Sequence, residues 1–228
     1  MTCRVSAGPP PQTSGYLSNV MPLSRIVAAL GQPLTVRRVQ TADRELVLRQ
    51  KGDALFGIAA STWHRIVAGG RLSVDPMQMR EYFQNENPGL ARAIEQLIGQ
   101  PLLKEFGFLR ATIECSGRPF VVATSCVAHL YSDELHVHDI AMADPRHPLS
   151  PPARKSETQR HRGFGLLSEV MGNIFAAARE RNCTAVTLTA ASRPLAEVFA
   201  RYGFAVEPTS LARGAMELGP GIPMQATV

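Results

Sequence analysis

Between positions 166 and 178 the apolar residues Leu166, Leu167, Val170, Met171, Ile174, Phe175 and Ala178 recur every three or four residues. On a 3.6-residue turn that spacing puts them along one stripe and predicts a helix over Gly165 to Arg181. A helix that is apolar along one side must bury that side against another layer. The flanking sequence supplies the layer as strands. Leu34 to Gln40, Phe108 to Glu114, Phe120 to Leu130, Leu135 to Met142 and Ala185 to Leu188 are short and rich in apolar residues. The polar connectors Cys115-Ser116-Gly117-Arg118 and Tyr131-Ser132-Asp133 join three of them into an antiparallel meander.

Thr41 caps a charged helical segment, Ala42 to Gln50, and residues 54–105 read as helical pieces broken at Gly69-Gly70, Pro76, Pro88-Gly89 and Gly99-Pro101. The clearest piece is Leu90 to Ile98. Beyond the long helix, Leu195 to Arg201 reads as a short helix and Met216 to Leu218 as a final strand. Residues 1–33, rich in Pro, Gly and Ser, are expected to form a poorly ordered extension, and 219–228 a C-terminal tail. The folded domain is placed at 34–218. Within it Asp144 to Arg160 is a proline-rich inserted loop, well beyond the usual length of about 4–6 residues.

Several classes are excluded at this point. No apolar run approaches the roughly 20 residues of a membrane helix. Cys3, Cys115, Cys126 and Cys183 are widely spaced without a CxxC pair, and residues 1–20 do not read as a secretory signal, so a cytoplasmic protein with reduced thiols is expected. Cys126, His129, His136 and His138 match no familiar zinc spacing, and no metal is expected. The formal charge of +5 suits a phosphate-bearing ligand. Nucleic acid is disfavoured as a partner, because basic and aromatic residues are not interleaved.

The segment Arg162-Gly163-Phe164-Gly165 stands between a strand and the long helix. Glycines there let a ligand approach backbone N–H groups, and the free amides and dipole of a helix start favour an anion such as a pyrophosphate. The order of strand, basic glycine loop, helix, strand, short helix, Tyr202-Gly203-Phe204 and Ala215-Met216-Glu217-Leu218 resembles the GCN5-related N-acetyltransferase (GNAT) family over residues 34–218. The resemblance implies a single α/β domain with a mixed, mostly antiparallel central sheet flanked by helices. It implies an enzyme that moves an acetyl group from acetyl-CoA, or another acyl group from its CoA thioester, to an amine of a small molecule or protein by direct attack.

The family's R/Q-x-x-G-x-G/A loop fits in two registers: Arg160, Gly163 and Gly165, or Arg162, Gly165 and Leu167. The second puts the family's apolar pair on Val170 and Met171, and the first puts it on the polar Ser168 and Glu169, so the second is preferred. The resemblance assigns the CoA contacts to Arg160, Arg162, Gly163, Phe164, Gly165 and Leu166, and the pantetheine contacts to the backbone of Ile140, Ala141 and Met142. The Ile140 N–H would polarise the thioester carbonyl. His138 occupies the place of a base, with Asp139 beside it, because an ammonium with a pKa near 10 must lose a proton before it can attack. His136 is placed on the same strand face. Ordinary core positions for Ile140 and Met142, and satisfied sheet histidines, are the plain alternatives. Ser192 stands where the family often has Asn, and Phe199 where it usually has a tyrosine that protonates the leaving sulfur. That departure motivates a second reading, a non-catalytic acyl-CoA-binding or interaction module. Among partners beyond the thioester and amine, a homodimer is compatible with the sequence.

Overall fold

The computed structural model describes residues 3–4, 17–41, 96, 99, 101, 103–131, 133–154, 159–219 and 221–228. The expected helix at 42–50 and nearly all of 54–105, including the aromatic residues Trp63, Tyr82 and Phe83, lie outside them. In chain order the elements are β1 (Cys3–Arg4), α1 (Leu23–Leu30), β2 (Thr35–Thr41), β3 (Leu103–Cys115), β4 (Arg118–Leu130), β5 (Glu134–Met142), α2 (Leu167–Glu180), β6 (Ala185–Ala190), α3 (Arg193–Ala200), β7 (Ala205–Val206), α4 (Ser210–Leu218) and β8 (Ile222–Thr227). They build an eight-stranded sheet in the order β1-β2-β3-β4-β5-β6-β8-β7. Every neighbouring pair is antiparallel except β5 and β6. That parallel pair requires a crossover, and α2 provides it. The fold class is therefore the mixed, mostly antiparallel α/β arrangement expected from the sequence.

The strands expected at 34–40, 108–114, 120–130, 135–142 and 185–188 and the helices at 165–181 and 195–201 are all present, with boundaries shifted by a few residues. Local chemistry explains the turns. Ser116 and Gly117 both have positive φ, 51° and 73°, as a two-residue hairpin turn with the right twist requires. Asn182 (φ 53°) follows α2, and Cys183 donates its N–H to the Ala178 carbonyl at 2.9 Å, which satisfies an otherwise open helix end. Arg181 at the same end grips Glu105 of β3 with two charge-assisted bonds, Nε–Oε2 at 2.6 Å and NH2–Oε1 at 2.9 Å.

The two faces of the sheet differ. On one, Leu109, Ala111, Val122, Val127, Leu135 and Val137 pack with Val170, Met171, Ile174 and Ala178 of α2. On the other, Phe106, Phe108, Cys126, Ala128 and Leu130 form a separate apolar group. The helix stripe read from sequence is thus the seam of the main core.

Both terminal assignments are corrected. Residues 17–33 are not a loose extension: Leu17 and Ile26 are fully buried in the main core, and Asn173 of α2 donates Nδ2–H to the Val20 carbonyl at 3.0 Å. Gly107 makes this docking feasible. A Cβ there would stand 2.5–2.6 Å from the backbone and Cβ of Leu17 and the amide of Ser18, inside contact distance. Residues 222–227 are not a tail but β8, which pairs β6 on one side and β7 on the other. Met216–Leu218 is the end of α4 rather than a strand, since Thr209 caps that helix by accepting from the Ala212 N–H at 3.1 Å. The proline that disguised β8 costs the ladder nothing. The carbonyl of Pro223 accepts from the Glu207 N–H at 3.0 Å, so its missing donor faces Glu207, whose own carbonyl is bonded by Thr209 N–H at 2.8 Å.

Candidate functional site

The site begins with one surplus residue in β5. Val137 pairs with Val127 and Asp139 with the adjacent Cys126, so His138 has no opposite number and forms a β-bulge. The side-chain alternation slips by one at that point. Leu135 and Val137 face the α2 core before the bulge, and Ile140 and Met142 face it after.

β5 also loses its other neighbour there. The ladder with β6 covers only Glu134 to Val137 against Ala185 to Leu188. β5 continues to Met142 and β6 to Ala190, so the two strands part just beyond the bulge. The Ala143 N–H bonds the Val122 carbonyl at 2.9 Å, facing β4. By strand alternation the N–H and C=O groups of Met142 and Ile140 then point away from β4, into the gap. Unpaired strand groups of this kind are a template for another extended chain.

Beside the gap stands the start of α2. Gly165 has φ +74°, a left-handed backbone that disfavours any side chain, and space around its Cα is open. The N-cap position is Leu166, which offers no side-chain acceptor, whereas α3 and α4 are capped by the hydroxyls of Ser192 and Thr209. The first-turn amides of this 14-residue helix therefore have no capping side chain. Gly163 lies against β5, where a Cβ would come within 3.4 Å of the Met142 carbonyl. Phe164 and Leu166 are half-buried against the core, and Arg160 and Arg162 are exposed.

The long insertion closes on itself. Backbone bonds Asp144 N–H to Arg162 O (2.8 Å), Arg162 N–H to His147 O (2.8 Å) and Leu149 N–H to Arg160 O (2.9 Å) pair its two ends. Its first turn is fixed by the buried Asp144 carboxylate, which accepts from Arg146 Nε at 3.0 Å and NH2 at 2.9 Å and lies 3.0 Å from His147 Nδ1. The Arg146 bonds hold the Asp144 carboxyl far below the usual carboxylate range. The insertion thus delivers Arg160 and Arg162 back to the glycine loop.

On the face opposite α2, His138 and Asp139 are exposed at the bulge. Partial burial of the His138 ring lowers its pKa below 6.5, opposed by the Asp139 charge. Asp139 Oδ2 accepts from Thr124 Oγ1 at 2.9 Å. His136 is buried with Nδ1 3.0 Å from Thr187 Oγ1, and its ring centroid lies 6.4 Å from that of His138.

The structure brings His138, Asp139, Ile140, Ala141, Met142, Gly163, Phe164 and Gly165 to one gap and helix start. It gives Ser192 the separate task of capping α3, accepting from Leu195 N–H at 3.4 Å. Phe199 packs against Phe204, ring centroids 6.0 Å apart. The hydroxyl of Tyr202 bonds Ser168 Oγ at 3.0 Å, on the first turn of α2. Among the described residues, no group of three or more His, Cys, Asp or Glu is arranged to hold a metal ion. No helix among them is long and apolar enough to cross a membrane. Sequence reasoning missed the bulge, whose only local signal is the shift in apolar phase from Leu135 and Val137 to Ile140 and Met142.

No protein-family model matches the chain, nor does any curated protein. Solved structures similar to it include an acetyltransferase from Bacillus cereus, 13% identical, with a TM-score of 0.36 over 69% of this chain and 96% of that one. An acetyltransferase of the GNAT family from Staphylococcus aureus is 12% identical, with a TM-score of 0.33 over 84% of this chain and 98% of that one. Ard1 from Thermoplasma volcanium is 18% identical, with a TM-score of 0.33 over 62% and 80% of the two chains.

Proposed function

We propose that this protein is an acyl-CoA-dependent N-acyltransferase that passes an acetyl group from acetyl-CoA to an amine. The observation that carries the reading is the parting of β5 and β6 at the His138 bulge, next to a helix start that has no capping side chain. The pantetheine arm lies along β5 as an added strand, bonded by backbone groups of Ile140 and Met142. The pyrophosphate sits on the amides following Gly165, with Arg160 and Arg162 at its side. The Ile140 N–H points at the thioester oxygen and stabilises the charge that develops there.

His138, directly or through a water, takes a proton from the ammonium, and the neutral nitrogen attacks the thioester carbon. The C–N bond forms, the nitrogen gives its second proton to solvent as the C–S bond breaks, and the electron pair leaves on sulfur as a thiolate that is in turn protonated by solvent. Phe199 has no proton to give. A thiol pKa near 8.5 makes the thiolate a tolerable leaving group without help.

Calorimetric titration with acetyl-CoA and CoA tests the premise. Micromolar binding followed by CoA release on adding an amine supports the transferase. The packed Phe199 ring favours one other reading, an acyl-CoA-binding module, for which binding occurs with no CoA release from any amine. Absence of binding refutes both.

The role of His138 has its own signature. A base must be unprotonated, so kcat/KM, corrected for the fraction of amine in the ammonium form that His138 deprotonates, rises with pH through the His138 pKa and levels off. Because that pKa is lowered, the midpoint falls below 6.5. His138→Ala is expected to remove this limb and lower turnover by about 10²–10⁴-fold, leaving CoA affinity intact. Unchanged rates near neutral pH would eliminate it as the base.

A further inference from the structure

A row of residues that includes two arginines crosses the sheet about three pairing positions beyond the point where β5 and β6 part. Arg37 on β2 is paired with Arg110 on β3, Arg110 with Thr124 on β4, and Thr124 with Ala141 on β5. Phe106 and Phe108 belong to the apolar group opposite α2, and Arg110 follows at the same two-residue period. Val39 packs on that group, and Arg37 lies two residues before it. Thr124 shares the face with Cys126 and Ala128 and bonds Asp139. Both arginines, Asp139 and His138 are exposed. Two arginines thus lie side by side on this face, and their row ends on β5 at Ala141, with Asp139 and His138 two and three residues before it.

Two like charges on directly opposed residues of neighbouring strands work against the sheet. They are useful where an anion is to be held, since guanidinium groups recognise carboxylates and phosphates with paired hydrogen bonds. Two strand spacings separate β3 from β5, about 10 Å. An extended arginine on β3 covers most of that width. Along the strands Arg110 stands two to three residues, about 7–10 Å, from the bulge, so an anion gripped by Arg110 would lie several bonds from an amine at His138.

Resting on the transferase reading, we infer that the acceptor is a small amine whose other end is an anion, a carboxylate or phosphate held by Arg110. The attacking nitrogen then sits at His138 and the anionic end points toward Arg110. An amine of equal basicity without the anion lacks this hold.

The test compares ω-amino acids from glycine to 6-aminohexanoate with alkylamines of the same length, and aminoalkyl phosphates as a third set, in acetyl-CoA turnover. The expected result is a kcat/KM about 10–100-fold higher for one anionic set at its best chain length. Arg110→Gln should abolish that advantage while acetyl-CoA affinity and alkylamine turnover stay unchanged. Equal rates for amines with and without the anionic end, or an advantage that survives Arg110→Gln, would overturn the inference and leave the transferase intact. If acetyl-CoA does not bind at all, the transferase reading fails. NMR titration of the wild type with the same amino acids and phosphates then decides: binding lost in Arg110→Gln sustains the anion site, and no binding overturns it.

Discussion

Gly165→Glu is expected to weaken acetyl-CoA binding by more than about 100-fold in calorimetric titration, the loss expected when a carboxylate is forced against a bound anion. Two effects add. The left-handed backbone at this position (φ +74°) costs a side chain roughly 1–2 kcal/mol. The carboxylate then faces the amides that the proposal gives to the pyrophosphate. Gly165→Ala separates the two, because it carries the backbone cost alone and should lose much less affinity. In the absence of ligand the order reverses: a carboxylate near a helix start interacts favourably with the dipole, so the Glu variant should melt no lower than the Ala variant. Normal CoA affinity in Gly165→Glu would refute the placement of the loop.

The second large effect concerns stability. Gly107→Ala places a methyl group 2.5–2.6 Å from Leu17 and Ser18, and the contacts are largely backbone, which cannot rotate away. The segment from Leu17 to Met21 must lift from the sheet, although Leu17 is fully buried in the core. Overpacking of this kind costs about 1–3 kcal/mol, and a melting temperature lower by several degrees is expected in a thermal scan. Hydrogen exchange should localise the damage to the N-terminal segment and to Asn173, which holds it from α2. A melting temperature equal to wild type would show that residues 17–21 do not pack over Gly107.

Much of the sheet was legible because β3, β4 and β5 are long apolar runs separated by polar turns, and α2 carries an uninterrupted stripe. The glycine loop was legible for the same reason, as a break between two strongly patterned elements. What escaped lacked such a pattern. Residues 17–33 offer only the short stretch from Ile26 to Leu30, and their burial depends on Gly107, some 80 positions away. β8 contains Pro223, which ordinarily argues against an interior strand, and only the fold around Glu207 and Thr209 removes the objection. Met216–Leu218 is too short for periodicity to distinguish strand from helix. At the candidate site, His138, Asp139 and Ile140 could be singled out from sequence, but not the bulge that carries them, since register belongs to a pair of strands. The alignment of Arg37 with Arg110 is likewise a property of pairing, invisible in either segment alone.

The position of β8 bears on how the chain is made. It follows β6 and β7 in sequence yet lies between them, with its Ile222 to Thr227 bonded to Ala190 to Ala185 on one side and its Met224 and Gln225 to β7 on the other. While a ribosome is still adding residues before 222, β6 has a vacant edge and β7 has no strand to pair with. Synthesis proceeds from the N-terminus, so β2 to β5 can assemble early, but the half of the sheet flanking the gap cannot. The nascent chain thus passes through a stage with an open, apolar strand edge, the kind that invites pairing with other chains. Closure of that edge and completion of one wall of the gap are the same event.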